Sequence, residues 1–114
     1  MNKIFLLFLL CFSFNLSAQT QAEMNKIAHD DFKKADAELN RVYKKVIEVL
    51  DVNEKQLMIK AQKDWLKFRD SHCEFEIEQF KGGSISPLIY STCLSECTND
   101  RIEDLKAILE DKNR

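Results

Sequence analysis

Gly82-Gly83-Ser84-Ile85-Ser86-Pro87 contains both glycines and the only proline of this 114-residue chain. Glycine enters the left-handed backbone region without a steric penalty, and proline at a first helical position lacks only an amide that would have no intrahelical partner. The stretch therefore predicts a helix stop at Gly82 and Gly83 and a restart at Pro87, with the Ser86 hydroxyl as cap. Strong breakers are absent from both flanks, so long uninterrupted helices are the expectation.

Working outward, the segment before the turn carries Leu57, Met58, Ala61, Trp65, Phe68, His72, Phe75 and Phe80 on one helical side. The segment after it turns Tyr90, Cys93, Leu94, Cys97, Ile102, Leu105 and Ile108 inward, and Asp111 to Arg114 reads as a frayed polar end. Asp51-Val52-Asn53-Glu54 is the other break, short and rich in cap residues. Before it, Met24, Ile27, Ala28, Phe32, Ala35, Leu39, Val42, Tyr43, Val46 and Leu50 recur at steps of three and four. Thr20-Gln21-Ala22-Glu23 is a capping-box pattern that predicts this helix to start at Thr20. Lys33, Lys34, Arg41, Lys44, Lys45 and Glu48 form its solvated face. The expected fold is all-α: three long amphipathic helices in an antiparallel bundle, each burying its stripe against its neighbours.

The N-terminus differs in kind. Lys3 is the only charge in the first 18 residues, an apolar run from Ile4 to Phe14 follows, and Asn15-Leu16-Ser17-Ala18 ends small. That is the layout of a signal peptide cut after Ala18, so the expected division is signal 1–18 and domain 19–114. The run is too short to span a bilayer, which needs about 20 apolar residues, and no membrane span is expected once it is removed. Cys11 lies mid-run, without a small residue before it, and leaves with the signal. The remaining 96 residues carry 16 Lys and Arg against 19 Asp and Glu. That mildly acidic balance argues against nucleic acid as a partner and suits a basic protein partner. The expected location is periplasmic or secreted.

Export places Cys73, Cys93 and Cys97 in an oxidising compartment, where one disulfide and one leftover thiol are expected. Cys73 precedes Gly82 by nine residues, about 13 Å of helix; Cys93 and Cys97 follow Pro87 by about 9 and 15 Å. Both lie within reach of Cys73, so spacing leaves the partner open, while Cys93 with Cys97, one turn apart, rarely meets disulfide geometry. Closing a loop of about 20 residues stabilises by roughly 3 kcal/mol. The CxxC spacing of a redox thiol is absent, and His72 beside Cys73 is poorly placed to share an ion, so neither metal nor cofactor is expected.

Ala35-Asp36-Ala37-Glu38-Leu39-Asn40-Arg41-Val42-Tyr43, Ala61-Gln62-Lys63-Asp64-Trp65-Leu66-Lys67-Phe68-Arg69-Asp70-Ser71-His72-Cys73, the Gly82–Pro87 turn, and Cys93-Leu94, Thr98, Arg101 and Leu105 together resemble the LprI-like family, named after a lysozyme-inhibitor lipoprotein. The resemblance spans nearly all of 19–114. It implies a small extracytoplasmic helical domain with a Cys73–Cys93 disulfide, and lysozyme inhibition for the family's namesake. Leu39, Asn40, Tyr43, Gln62, Trp65, Arg69, Asp70, Thr98 and Arg101 are the motif positions it marks as structural. Ile27 stands where many members have a cysteine, and Cys97 occupies a site that is usually apolar.

Arg69 follows Trp65 by four residues, so its guanidinium can lie over the indole, whereas Asp70 points about 100° away. Arg101 falls within the third helix's apolar stripe, and two inward arginines require polar partners across the bundle. His29 and His72 lie on different helices without a Ser or Cys at catalytic spacing, so no enzyme is expected. The turn Gly82, Gly83, Ser84, Ile85 and Ser86 is the candidate partner-binding loop. The function expected is that of an exported non-enzymatic binding protein, occluding the surface of a protein partner such as lysozyme. The alternative is a structural or stress-related envelope protein that ignores lysozyme.

Overall fold

The structure is a computed structural model that describes the backbone of residues 2–114 and the side chains of residues 20–114. The expected signal segment, with Cys11 and the cut after Ala18, lies outside the residues whose side chains are described. Helix α1 spans Asn2–Val49, α2 Val52–Ile77 and α3 Ser86–Lys112, with a single 3-10 turn, Glu78–Phe80, after α2. There is no strand among the described residues. Three helices and a Cys73–Cys93 disulfide agree with the all-α expectation.

One boundary differs from the sequence reading at the start. Thr20 lies inside the continuous helical backbone of α1 instead of at a cap. Residues 2–19 hold no Gly or Pro, so nothing in the uncut chain stops the helix there.

At the other end of α1 the break at 50–51 is sharp. The Asp51 carboxylate accepts from the Glu54 amide at 2.8 Å, and the Asp51 amide donates to Glu54 Oε1 at 3.1 Å. This reciprocal capping box satisfies two amides that would otherwise lack helical partners. Lys112, in the last turn of α3, donates to the other Glu54 oxygen at 2.6 Å. The Lys112 ammonium, followed by the Asp51 amide, holds the Glu54 carboxyl below the ordinary carboxylate range.

The apolar centre is built mainly by α1 and α3. Leu39, Val42, Val46 and Leu50 meet Ile102 and Leu105, and Trp65, Met58, Tyr43, Ile47, Ile108 and Leu109 close over them. Leu39, Val46 and Leu105 are essentially inaccessible. Fully burying a side chain of this class stabilises by about 1.5–3 kcal/mol, so this cluster dominates the favourable side of folding.

Helix α2 joins differently. Its contacts with α3 descend one helix while ascending the other: Cys73 with Cys93, Arg69 with Thr98, Gln62 with Arg101, Glu54 with Lys112. The buried residues of α2 are Gln62, Arg69 and Cys73, not its large apolar ones. Leu57, Phe68 and Phe75, expected inside, are 71%, 61% and 77% exposed. Ala61 is exposed too, as are Met24 and Ile27 on α1. The reason is rotational. The inward edge of α2 is Met58, Gln62, Trp65, Arg69 and Cys73, at steps of four, three, four and four, which leaves the 57, 61, 68, 75 row outside.

Candidate functional site

Two arginines organise the interior face of α2. Arg69 is 7% exposed and lies in the space between all three helices. Its Nε donates to Asp70 Oδ1 at 2.9 Å, and one terminal nitrogen reaches Thr98 Oγ1 on α3 at 3.3 Å and Asp36 on α1 at 3.5 Å. Its plane sits 5.2 Å from the Phe32 ring centre and 5.4 Å from that of Trp65. A guanidinium suits this position because it forks to several acceptors while its faces remain weakly hydrated. Asp70, which a bare helical wheel turns away, is reached because the long Arg69 stem folds back along its own helix.

Arg101 repeats the device one layer further along. Its Nε donates to Gln62 Oε1 at 2.9 Å, and its guanidinium lies 5.8 Å from the Trp65 ring centre and 3.8 Å from Met58 Sδ. Trp65 is thus held between two cations, and Thr98, fully buried, gives its hydroxyl oxygen to Arg69. The motif residues Gln62, Trp65, Arg69, Asp70, Thr98 and Arg101 therefore converge in one polar layer. Leu39 and Tyr43 belong to the apolar centre, and Asn40 faces solvent. Among the described residues, Ser95 Oγ on α3 is the buried side-chain polar atom without a hydrogen-bond partner.

The disulfide lies at the end of this layer nearest the turn. Cys73 is wholly buried and its Cα stands 5.7 Å from that of Cys93. Cys97 is the free thiol among the described residues, half-buried one turn further along α3. Burial, reinforced by Asp100 and Glu96, pushes its pKa up, so it is a poor nucleophile near neutrality. His72, Cys93 and Cys97 place potential ligand atoms within 4.8 Å of one another. The Cys93 sulfur is bonded to Cys73, however, so two free donors remain, short of the four that a structural zinc site needs. The sequence places His72 beside Cys73, poorly set to share an ion with it; the structure brings it from α2 to Cys93 and Cys97.

Beyond the disulfide, Lys81 to Ile85 form an exposed turn. Gly82 has φ +81°, the left-handed conformation expected of it. A side chain on Gly83 would bring its Cβ to 3.1 Å from the Phe80 carbonyl oxygen. The turn is closed by backbone bonds from Gly83 to Phe80 and from Ser86 to Gly83, at 2.9 and 3.2 Å. The restart differs from expectation: Ile85 is the cap residue, with no side-chain cap bond, and Ser86 is already helical. The Ser86 amide donates to Gly83 and Pro87 has no amide hydrogen, so the first two helical positions leave no amide for a side chain to cap.

Beside the turn, a groove of about 610 Å³ runs between α2 and α3, lined by His72, Leu88, Ile89 and Thr92 and by three carboxylates, Glu76, Glu96 and Asp100. The sequence reading overlooked these acids because they lie on two helices, 20 and more residues apart. It placed Phe32 in the apolar stripe of α1 and Asp36 in the family motif without joining either to Arg69, which both reach from α1.

Comparison with known proteins gives two matches. The family described as "Lysozyme inhibitor LprI" matches residues 11–105. An uncharacterised protein of Rhizobium meliloti (strain 1021) is 34% identical over 106 residues, covering 82% of this chain and 76% of its own length. No solved structure matches. The family match runs through the polar layer, both bonded cysteines and the exposed turn, and on that ground the chain belongs to the LprI lysozyme-inhibitor family.

Proposed function

We propose that this protein is exported, loses residues 1–18, and acts without catalysis by covering the surface of a lysozyme. What carries this reading is the family match along residues 11–105. The geometry supplies a means. The 81–85 turn protrudes from a hairpin braced by the disulfide, so it is presented with little flexibility to lose on binding. The adjoining groove carries Glu76, Glu96 and Asp100, a negative patch that draws in a basic enzyme and orients the encounter. The chain's side of the contact is then Ile85 as the apolar contact, 42% exposed at the turn, with the carboxylates beside it.

The test is a titration of chicken-, goose- and invertebrate-type lysozymes with purified protein. Inhibition of at least one type at stoichiometric to micromolar excess is expected. It should be lost when Glu76, Glu96 and Asp100 are all changed to Lys, and should weaken with rising salt. Absence of inhibition in all three types overturns the reading. Terminal sequencing of protein recovered outside the producing cell checks the cut: a start at Gln19 agrees, and an intact Met1 does not.

A further inference from the structure

We propose that the outer row of α2 is a self-association surface, joining two copies of this chain by antiparallel α2–α2 packing about a two-fold axis at Phe68. This goes beyond the inhibitor reading; the row borders the groove through His72, which lines the groove and stacks on Phe68. Four observations combine. Leu57, Ala61, Phe68 and Phe75 form one row, about 27 Å long, at steps of four and seven. All four are exposed, with Phe68 and Phe75 at 61% and 77%. Large aromatics are normally the first side chains a fold covers, and this row leaves two of them exposed on one line of α2.

The charges around the row say what covers it. From Val52 to Arg69, α2 carries five basic residues and two acids, Glu54 and Asp64; from Asp70 to Ile77 it carries three acids and no Lys or Arg, and Glu78 follows at once in the 3-10 turn. A helix charged in this way repels a parallel copy and attracts an antiparallel one. At about 100° per residue, Lys60, Lys63 and Lys67 flank the row on the same side as Glu74 and Glu78. A two-fold axis brings like flanks together, so each copy's Lys60, bonded to its own Asp64 at 2.6 Å, comes within a turn of Glu78 from the other, and Lys63 level with Glu74. The same axis sets Phe68 against its counterpart and the large Phe75 opposite the small Ala61. Phe68, already stacked on His72 with ring centres 5.6 Å apart, is held in one orientation for this. Such an interface is isologous, the commonest closed arrangement for two identical chains.

Sedimentation equilibrium of the purified protein, from micromolar to near-millimolar concentration in low salt, tests it. A monomer–dimer equilibrium is expected. Phe68→Asp should abolish the dimer and leave the helical circular dichroism intact, since the side chain is exposed in the monomer. Lys60→Glu and Glu78→Lys should each weaken the dimer about tenfold, because every change is made twice per dimer, and the double variant should restore it to within roughly threefold. A monomer at every concentration overturns the proposal, as does a dimer indifferent to Phe68→Asp. A monomeric protein that inhibits lysozyme until Phe68 is changed also overturns it, because the row would then belong to the enzyme. Loss of inhibition by the groove variant with the dimer intact bears on the inhibitor reading alone.

Discussion

Removing the Cys73–Cys93 bond is the sharpest probe of how this fold is held. The bond closes a loop with a sequence separation of 20. On the chain-entropy relation such a loop contributes about 3 kcal/mol by restricting the unfolded chain. A domain of this length commonly has about 5–15 kcal/mol in total, so the loss is a large fraction of the whole. Alanine is the better replacement, because Cys73 is wholly buried and a serine hydroxyl there would add a desolvation cost of its own. The Cys73→Ala/Cys93→Ala variant should lose about 3 kcal/mol in urea unfolding followed by circular dichroism, and roughly 12–24 °C in Tm. Wild-type protein in excess dithiol should behave alike. Cys97→Ser, altering a half-buried thiol outside the bond, should shift stability far less. The apolar centre between α1 and α3 contains neither cysteine, so the reduced protein should keep most of its helicity. A loss under about 0.5 kcal/mol in the double variant would refute the reasoning, since α2 would then be held fully by its polar layer.

Two further outcomes follow from the same packing. Arg69→Ala should cost about 2–4 kcal/mol by emptying the space between Phe32 and Trp65 and unpairing Thr98, whereas Arg69→Met, which keeps the stem's volume, should cost clearly less; equal losses in urea unfolding would show that charge, not packing, holds the layer. The lowered carboxyl of Glu54 gives stability that is present above its unfolded value and lost as pH falls through the folded one, so the gap between wild type and Glu54→Gln should shrink as pH falls through the carboxylate range, and an unchanged gap would refute the Glu54 bonds to Lys112 and the Asp51 amide together.

The sequence is legible where helical period and residue chemistry agree. On α1 the buried row is apolar, and on α3 it is apolar apart from Ser91 and Thr98, so Leu39, Val42, Val46, Leu94, Ile102 and Leu105 were readable from spacing alone. On α2 they conflict. Its inward row includes Gln62 and Arg69, while its outward row is rich in Leu and Phe, and a hydrophobicity pattern follows the wrong one by less than a third of a turn. The choice of Cys93 over Cys97 was likewise closed to spacing, because both lie within reach of Cys73 along the axis. What separates them is rotation about α3, which only the packed hairpin fixes. The groove acids stayed hidden because no local pattern joins Glu76 to Glu96.

The turn that protrudes furthest from the hairpin also lies within the ring that the cystine closes. A peptide bond cut between Lys81 and Ile85 would open that ring without releasing a fragment, since residues on both sides stay joined through Cys73 and Cys93. A cut at Leu50–Asp51, outside the ring, would instead sever α1 from the rest. The molecule thus stays in one piece when cut in this exposed turn, and such a nick would be seen in electrophoresis only after reduction.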